Sequence, residues 1–335
     1  MKSVVETTLS APSAPALDPL LHDAVFPYAA EMYPLGFPLL LETTSAWVLE
    51  AAKESWGSCK KLFDRPPIRV RAGVSGSQDK QIAWPPTFRS NLHLLSISGD
   101  AGNMAVVDLN AGFAFSWVTE EIATQRDEYR YFFLDAMVYL LLSSKHMAPI
   151  HAACVERHGQ SLLLCGESAA GKSSLAYACA RRGWTYVSDD SINIVRGSKP
   201  VALVGNCFSL RLRPDAPELF PELLPYLARR RPNGKTNLEL RPAELDGFKL
   251  SMTSRPSRLL FLNRRRGASP NAFPITTEEA QERLSSLPPY GPPSLHRAWM
   301  RSITALVKQT TAAEFTYSNL DEAVSRLEEE MDETK

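Results

Sequence analysis

Residues 151–190 read HAACVERHGQSLLLCGESAAGKSSLAYACARRGWTYVSDD, and Gly166, Gly171, Lys172 and Ser173 within them fit the spacing GxxxxGK[ST]. The apolar run Leu162-Leu163-Leu164-Cys165 predicts a buried strand before the loop, and a helical pattern follows from Lys172 to Arg182. Glycines let the backbone curl so that consecutive N–H groups meet one anion, with the positive end of the new helix behind them. Gly166, Glu167, Ser168, Ala169, Ala170, Gly171, Lys172, Ser173 and Ser174 are therefore the candidate phosphate cradle. Lys172 is placed to reach β- and γ-phosphates and Ser173 to offer its hydroxyl to Mg²⁺, so ATP or GTP is the expected ligand. The bland alternative is an ordinary Gly-rich turn between a strand and a helix.

Beyond the loop, Leu175, Ala176, Cys179 and Ala180 form a narrow stripe of small residues suited to close packing on a sheet. Arg181 and Arg182 suit the negative end of that helix, and Gly183 is the expected C′ residue. Trp184-Thr185-Tyr186-Val187 predicts a second strand that runs into Ser188-Asp189-Asp190. Two carboxylates at a strand end beside a phosphate site suit phosphoryl chemistry. One accepts the proton of an attacking hydroxyl, and the other holds a metal ion or orients the first. The alternative is that Asp190 only caps a turn.

The stretch GESAAGKSSLAYACARRGWTYVSDD resembles the catalytic core of the HPr kinase/phosphorylase family and its relatives. In that family a phosphate loop, a helix ending in Arg-Gly and a strand ending in Asp-Asp come in this order. A His also lies fifteen residues before the first loop Gly, where His151 stands relative to Gly166. The match is close over about forty residues and loose downstream. The resemblance implies an ATP-dependent kinase acting on a hydroxyl, in an α/β P-loop kinase domain of the HPr-kinase/PEP-carboxykinase type. It implies Asp189 as general base, Asp190 with Ser173 at the metal, and Lys172 and His151 beside the phosphates. Two departures stand out. Ala169 occupies a position where the family usually has Gly, and the Gly-rich downstream signature tied to dephosphorylation is not found. HPr as acceptor is therefore not expected. The expected acceptor is a Ser- or Thr-bearing peptide or protein, or a small alcohol.

The chain has 335 residues, 44% of them apolar and 22% charged, with a formal net charge of +0, which is ordinary for a globular protein. That balance gives no steer towards nucleic acid or an anionic membrane. A homo-oligomer is left open. Cys59, Cys154, Cys165, Cys179 and Cys207 show no CxxC spacing and suggest buried, reduced thiols in a cytoplasmic protein. The longest apolar run, Ala136 to Leu142, is too short to span a bilayer.

Residues 1–30 are expected to be disordered, 31–119 to form an α+β region, and 120–335 to form the kinase domain. In the first region, Pro38–Glu42 reads as a strand, and Thr44 or Ser45 caps a helix that runs to Trp56. Ile68, Val70, Ala72 and Val74 alternate with Arg69 and Arg71 as a half-exposed strand. Strands are also expected at Leu92–Ile97, Met104–Leu109 and Phe113–Val118, making a support or recognition layer. Asp127 to Ser144 reads as a core helix.

Downstream, Gly205-Asn206 is expected to join two strands as a hairpin. Arg229-Arg230-Arg231-Pro232-Asn233-Gly234-Lys235 reads either as a solvated loop or as a cationic segment near the phosphates or an acidic acceptor. Arg264-Arg265-Arg266, after a short apolar strand, has the same two readings. The acidic run Glu328-Glu329-Glu330 on the closing helix reads as a solvated face. The rival to a kinase is a nucleotide-binding switch or assembly module that hydrolyses slowly and signals by shape.

Overall fold

The computed structural model describes residues 25–76, 84–100, 102–286 and 291–333. The expected disorder of residues 1–24 and most of the Pro-rich break at 287–290 lie outside them. The chain divides into two compact units, Met1–Leu142 and Ser143–Lys335.

The first unit holds β1 (Tyr28–Met32), β2 (Leu39–Thr43), α1 (Ala46–Trp56), β3 (Ile68–Ser75), β4 (Thr87–Asn91), β5 (Leu94–Asp100), β6 (Asn103–Asp108) and β7 (Phe113–Thr119). They make one sheet in the order β1-β2-β3-β7-β6-β5-β4. The expectation of disorder up to residue 30 does not hold for residues 28–30, because Tyr28 to Met32 pair antiparallel with β2. The Ser45 side chain caps α1, accepting from the Trp47 N–H at 3.3 Å. Val48, Ala51, Ala52 and Trp56 are the buried face of α1.

After a short helix, α2 (Glu120–Thr124), the expected core helix Asp127–Ser144 is present as α3 (Arg126–Tyr129), a π-helical turn, Arg130–Leu134, and α4 (Asp135–Lys145). The border between the units falls at 142/143, beyond the one expected at 120, because these pieces are tied to α1. Arg130 Nε donates to Ser55 Oγ at 3.0 Å, and Ser55 Oγ donates to Asp135 Oδ1 at 2.9 Å.

The second unit is mixed α/β. Its strands are β8 (Met147–Ile150), β9 (Ala152–Arg157), β10 (Gln160–Cys165), β11 (Thr185–Ser188), β12 (Ile192–Val195), β13 (Leu203–Gly205), β14 (Leu210–Leu212), β15 (Arg229–Arg230), β16 (Thr236–Leu240), β17 (Lys249–Leu250), β18 (Thr253–Ser254), β19 (Pro256–Arg264), β20 (Asn271–Pro274) and β21 (Thr311–Tyr317). Its helices are α5 (Lys172–Arg181), α6 (Thr277–Leu284), α7 (Pro293–Gln309) and α8 (Leu320–Asp332).

The central sheet runs β17-β11-β9-β10-β19-β21-β20. β10, β19 and β21 are mutually parallel, and β9 lies antiparallel between β10 and β11. Both faces are covered, which is why Leu162 to Cys165 of β10 form an unbroken apolar run. Leu162 and Leu164 pack with α5 and α8, whereas Leu163 and Cys165 pack with α7 and the antiparallel sheet β18-β13-β12-β8. Each such buried Leu contributes on the order of 2 kcal/mol over an exposed one.

Three expectations are corrected. α5 is buried beyond its small-residue stripe, since Tyr177 and Ala178 are covered too and Phe220 meets the Tyr177 ring edge-on at 4.6 Å. No hairpin joins β13 to β14: β13 belongs to the sheet β18-β13-β12-β8 and β14 to a separate sheet, β14-β16-β15. The acidic end of α8 is not a free solvated face. Glu328 accepts from Arg157 at 3.3 Å, from Trp184 Nε1 at 3.3 Å and from Arg182, while Glu330 meets Arg258 and Arg326. These contacts clamp α8 to the edge of the core sheet. The five cysteines are free thiols, and all but Cys59 are buried.

Candidate active site

The strand directions decide what meets at one edge of the central sheet. β10 and β11 both run towards that edge, so their C-terminal ends carry Gly166 and Asp189-Asp190 to it. β9 runs the other way and starts there: Ala152 pairs with Cys165, which puts His151 alongside Gly166. The two-residue loop His158-Gly159, with φ of 53° and 77°, makes this tight return. The stretch from His151 to Asp190 thus becomes a single site through three adjacent strands.

The loop backbone takes three positive φ values: Gly166 at 148°, Ala169 at 70° and Gly171 at 96°. Gly171 is the N-cap residue of α5 and no side chain caps the helix, so the first α5 N–H groups remain available as anion donors. The space beside Gly171 is occupied by Tyr317, whose hydroxyl lies 2.5 Å from where a Cβ would stand and donates to the Ala170 carbonyl at 3.3 Å. Tyr317 therefore props the loop from β21.

Lys172 is 6% exposed and folds back over the loop, donating to the carbonyls of Gly166 at 2.8 Å and Glu167 at 2.9 Å. Burial lowers its pKa, opposed by the field of Asp190. The Ser173 hydroxyl donates to the Asp189 carbonyl at 3.3 Å, linking α5 to the end of β11. The side chains of Glu167 and Ser168 face solvent.

The two neighbouring carboxylates differ sharply. Asp189 is 5% exposed; Tyr186 Oη donates to its Oδ1 at 3.0 Å and the Arg211 N–H to its Oδ2 at 2.9 Å. Burial pushes its pKa up to about 6, against the pull of the Arg211 N–H and guanidinium. The Asp190 side chain is 59% exposed, with Oδ1 3.3 Å from His151 Nδ1. One carboxylate is fixed and titrates near neutrality, and the other is accessible. Ser173 and Asp190 offer a hydroxyl and a carboxylate oxygen, the hard donors that a nucleotide-bound Mg²⁺ uses alongside phosphate oxygens.

The expected residues His151, Gly166 to Ser174, Asp189 and Asp190 are all at this edge. Arg229 to Lys235 forms an exposed hairpin, in which the Arg231 N–H donates to the Lys235 carbonyl at 2.9 Å. Its sheet, β14-β16-β15, reaches the site through Arg211 on β14. No sequence motif points to Tyr186, Arg211 or Tyr317. Tyr186 is three residues before Asp189 and could have been suspected, whereas the other two reach the site only through long-range pairing.

No protein-family model matches the sequence, and no curated protein matches it. Among solved structures, the Hpr(Ser) kinase/phosphatase from Coxiella burnetii is similar at 13% identity, covering 55% of this chain and 98% of that one, with a TM-score of 0.29. That likeness is distant.

Proposed function

We propose that this chain is an ATP-dependent phosphotransferase that moves the γ-phosphoryl group to the hydroxyl of a serine- or threonine-bearing peptide or protein, or of a small alcohol. One observation carries the reading. An uncapped helix N-terminus with a buried lysine lies at the same sheet edge as a carboxylate whose pKa is raised to about 6. A pure nucleotide binder needs the cradle and a metal ligand; it has no need of a proton acceptor tuned close to neutral pH.

The acceptor hydroxyl gives its proton to Asp189 as its oxygen bonds to the γ-phosphorus, the bond from that phosphorus to the β–γ bridging oxygen breaks, and ADP leaves. Lys172 and the α5 N–H groups bind and neutralise the phosphates, and most of the rate comes from positioning and charge stabilisation. Mg²⁺, when bound with ATP, supplies charge neutralisation at the phosphates; Ser173 and Asp190 are the residues that would hold it. The 3.3 Å contact of His151 with the exposed Asp190 favours a second candidate for proton acceptor, the His151–Asp190 pair.

The test is transfer of labelled γ-phosphate from ATP to free serine, to HPr and to Ser- and Thr-containing peptides. Label is expected in a hydroxyl acceptor other than HPr, with loss of transfer but retained ATP binding in Asp189→Asn. Unchanged transfer in that variant moves the base to His151–Asp190. ATP that is bound and slowly hydrolysed with no acceptor labelled supports the switch.

A further inference from the structure

The run Arg264-Arg265-Arg266 contains residues in different circumstances. β19 lies next to β10, with Phe261 paired to Cys165, so its end overshoots the strand that feeds the phosphate loop. Side chains alternate along it: Leu260 and Leu262 pack on the α5 side, Leu259 and Phe261 on the α7 side. A Cβ at Gly166 would stand 3.8 Å from the Leu262 Cβ, so Leu262 lies directly beneath the start of the loop. Arg264 is the next residue on that same face, about 7 Å further along the strand.

Its other neighbour agrees with this placement. Arg264 pairs with Tyr317, the residue whose hydroxyl bonds Ala170 in the loop. Its positive charge also favours the ionised form of the Tyr317 phenol, against the larger effect of burial.

Arg264 is exposed and has no carboxylate partner among the described residues. Arg266 is likewise exposed without one but lies beyond the end of β19, whereas several other arginines of this unit are paired. Arg265 donates to Asn263 Oδ1 at 3.1 Å and lies 4.0 Å from Glu314, while Arg157, Arg182, Arg258, Arg283 and Arg326 all have acidic partners. A guanidinium left uncompensated beside an anion cradle is a ready phosphate ligand.

We infer that Arg264 is a phosphate-binding residue of this site, forming the wall opposite Asp189 and Asp190 and holding the phosphates that are not transferred. The side follows from the strand order. The carboxylate pair is two strands from β10 in one direction, roughly 10 Å away, and Arg264 is one strand away in the other, roughly 5 Å. The transferred phosphate must lie towards the carboxylates and the acceptor, which leaves the α- and β-phosphates towards Arg264. This rests on the nucleotide reading of the loop.

The test is calorimetric titration of Mg·ATP, Mg·ADP and adenosine into wild type, Arg264→Gln, Arg265→Gln and Lys172→Ala, with thermal melts as a check of folding. Arg264→Gln should raise the Kd for ATP and ADP alike by about tenfold or more. It should leave the adenosine affinity and the melting temperature unchanged, and Arg265→Gln should stay within about twofold of wild type. Unchanged ADP affinity in Arg264→Gln, with binding lost in Lys172→Ala, overturns the role of Arg264 and leaves the nucleotide site standing. An equal loss of adenosine binding places Arg264 at the base instead of the phosphates. Unchanged binding in both variants overturns the site itself.

Discussion

Tyr186 and Asp189 are joined inside the protein: the phenol donates to Asp189 Oδ1 at 3.0 Å, and both side chains are almost fully buried. Burial holds the Tyr186 pKa well above its ordinary value, so it stays a neutral donor. Its hydrogen bond favours the charged carboxylate and restrains a pKa that burial has already raised to about 6. Tyr186→Phe removes that restraint, so the acid limb of the pH–rate profile should move to higher pH. Activity at neutral pH should fall and recover on the alkaline side. A profile that does not move would separate Asp189 from the proton transfer.

Asp189 also costs stability. Its pKa rises from 3.8 to about 6 on folding, so the folded state holds the proton more tightly than the unfolded chain. The contribution is fully present below about pH 4 and is lost as pH rises through about 6. Asp189→Asn removes this titration. Relative to wild type the variant should therefore gain on the order of 2 kcal/mol between pH 4 and pH 7. Urea unfolding at a series of pH values reads this directly, and parallel curves for the two proteins would contradict it.

Ala169 carries strain. Its φ of 70° lies in the left-handed region, where a Cβ crowds the backbone. The pattern that the loop resembles usually has Gly here, and this backbone conformation is one that Gly adopts without strain. Ala169→Gly should stabilise the fold by about 0.5–1 kcal/mol in urea unfolding, the relief of strain exceeding the entropy that Gly adds to the unfolded chain. A loss of stability would mean that the loop does not hold this conformation.

The hairpin Arg229–Lys235 bears on the acceptor. Arg229 and Arg230 are exposed, and Arg229 lies on the same sheet face as Arg211, because their partners Asn237 and Glu239 are two residues apart on β16. That face, on which Arg211 meets Glu239 at 3.3 Å, leads away from Asp189 towards the exposed Arg229. Replacing Arg229, Arg230 and Arg231 together with Gln should raise the acceptor KM several-fold and leave the KM for ATP nearly unchanged, and wild-type transfer should weaken as salt rises. An unaltered acceptor KM returns the hairpin to the status of a solvated loop.

Much of the site was legible because it is local. The phosphate loop, α5, its Gly183 terminus with φ of 86°, and the Asp-Asp strand end all follow within one short stretch whose spacing and turn residues point the same way. His151 was found by its spacing, and the pairing of Ala152 with Cys165 gives the physical reason for it. What was missed is long-range. Nothing in Phe315-Thr316-Tyr317 marks Tyr317 as the prop of a loop some 147 residues earlier in the chain. Glu328 looked solvated because its partners Arg157 and Arg182 are distant in sequence. Gly205-Asn206 carried a hairpin signal, but β13 and β14 join different sheets, and that choice belongs to tertiary packing.

The central claim is that Gly166 to Ser174 holds the phosphates of ATP through the α5 N-terminus and Lys172. Calorimetry of Mg·ATP binding to wild type and Lys172→Ala tests it most directly. Lys172 also bonds the carbonyls of Gly166 and Glu167, so a thermal melt must accompany the titration to show that the variant is folded. Saturable binding to wild type is expected, with a Kd at least about tenfold higher in folded Lys172→Ala. Equal affinity in the two folded proteins, or no binding to either, would contradict it.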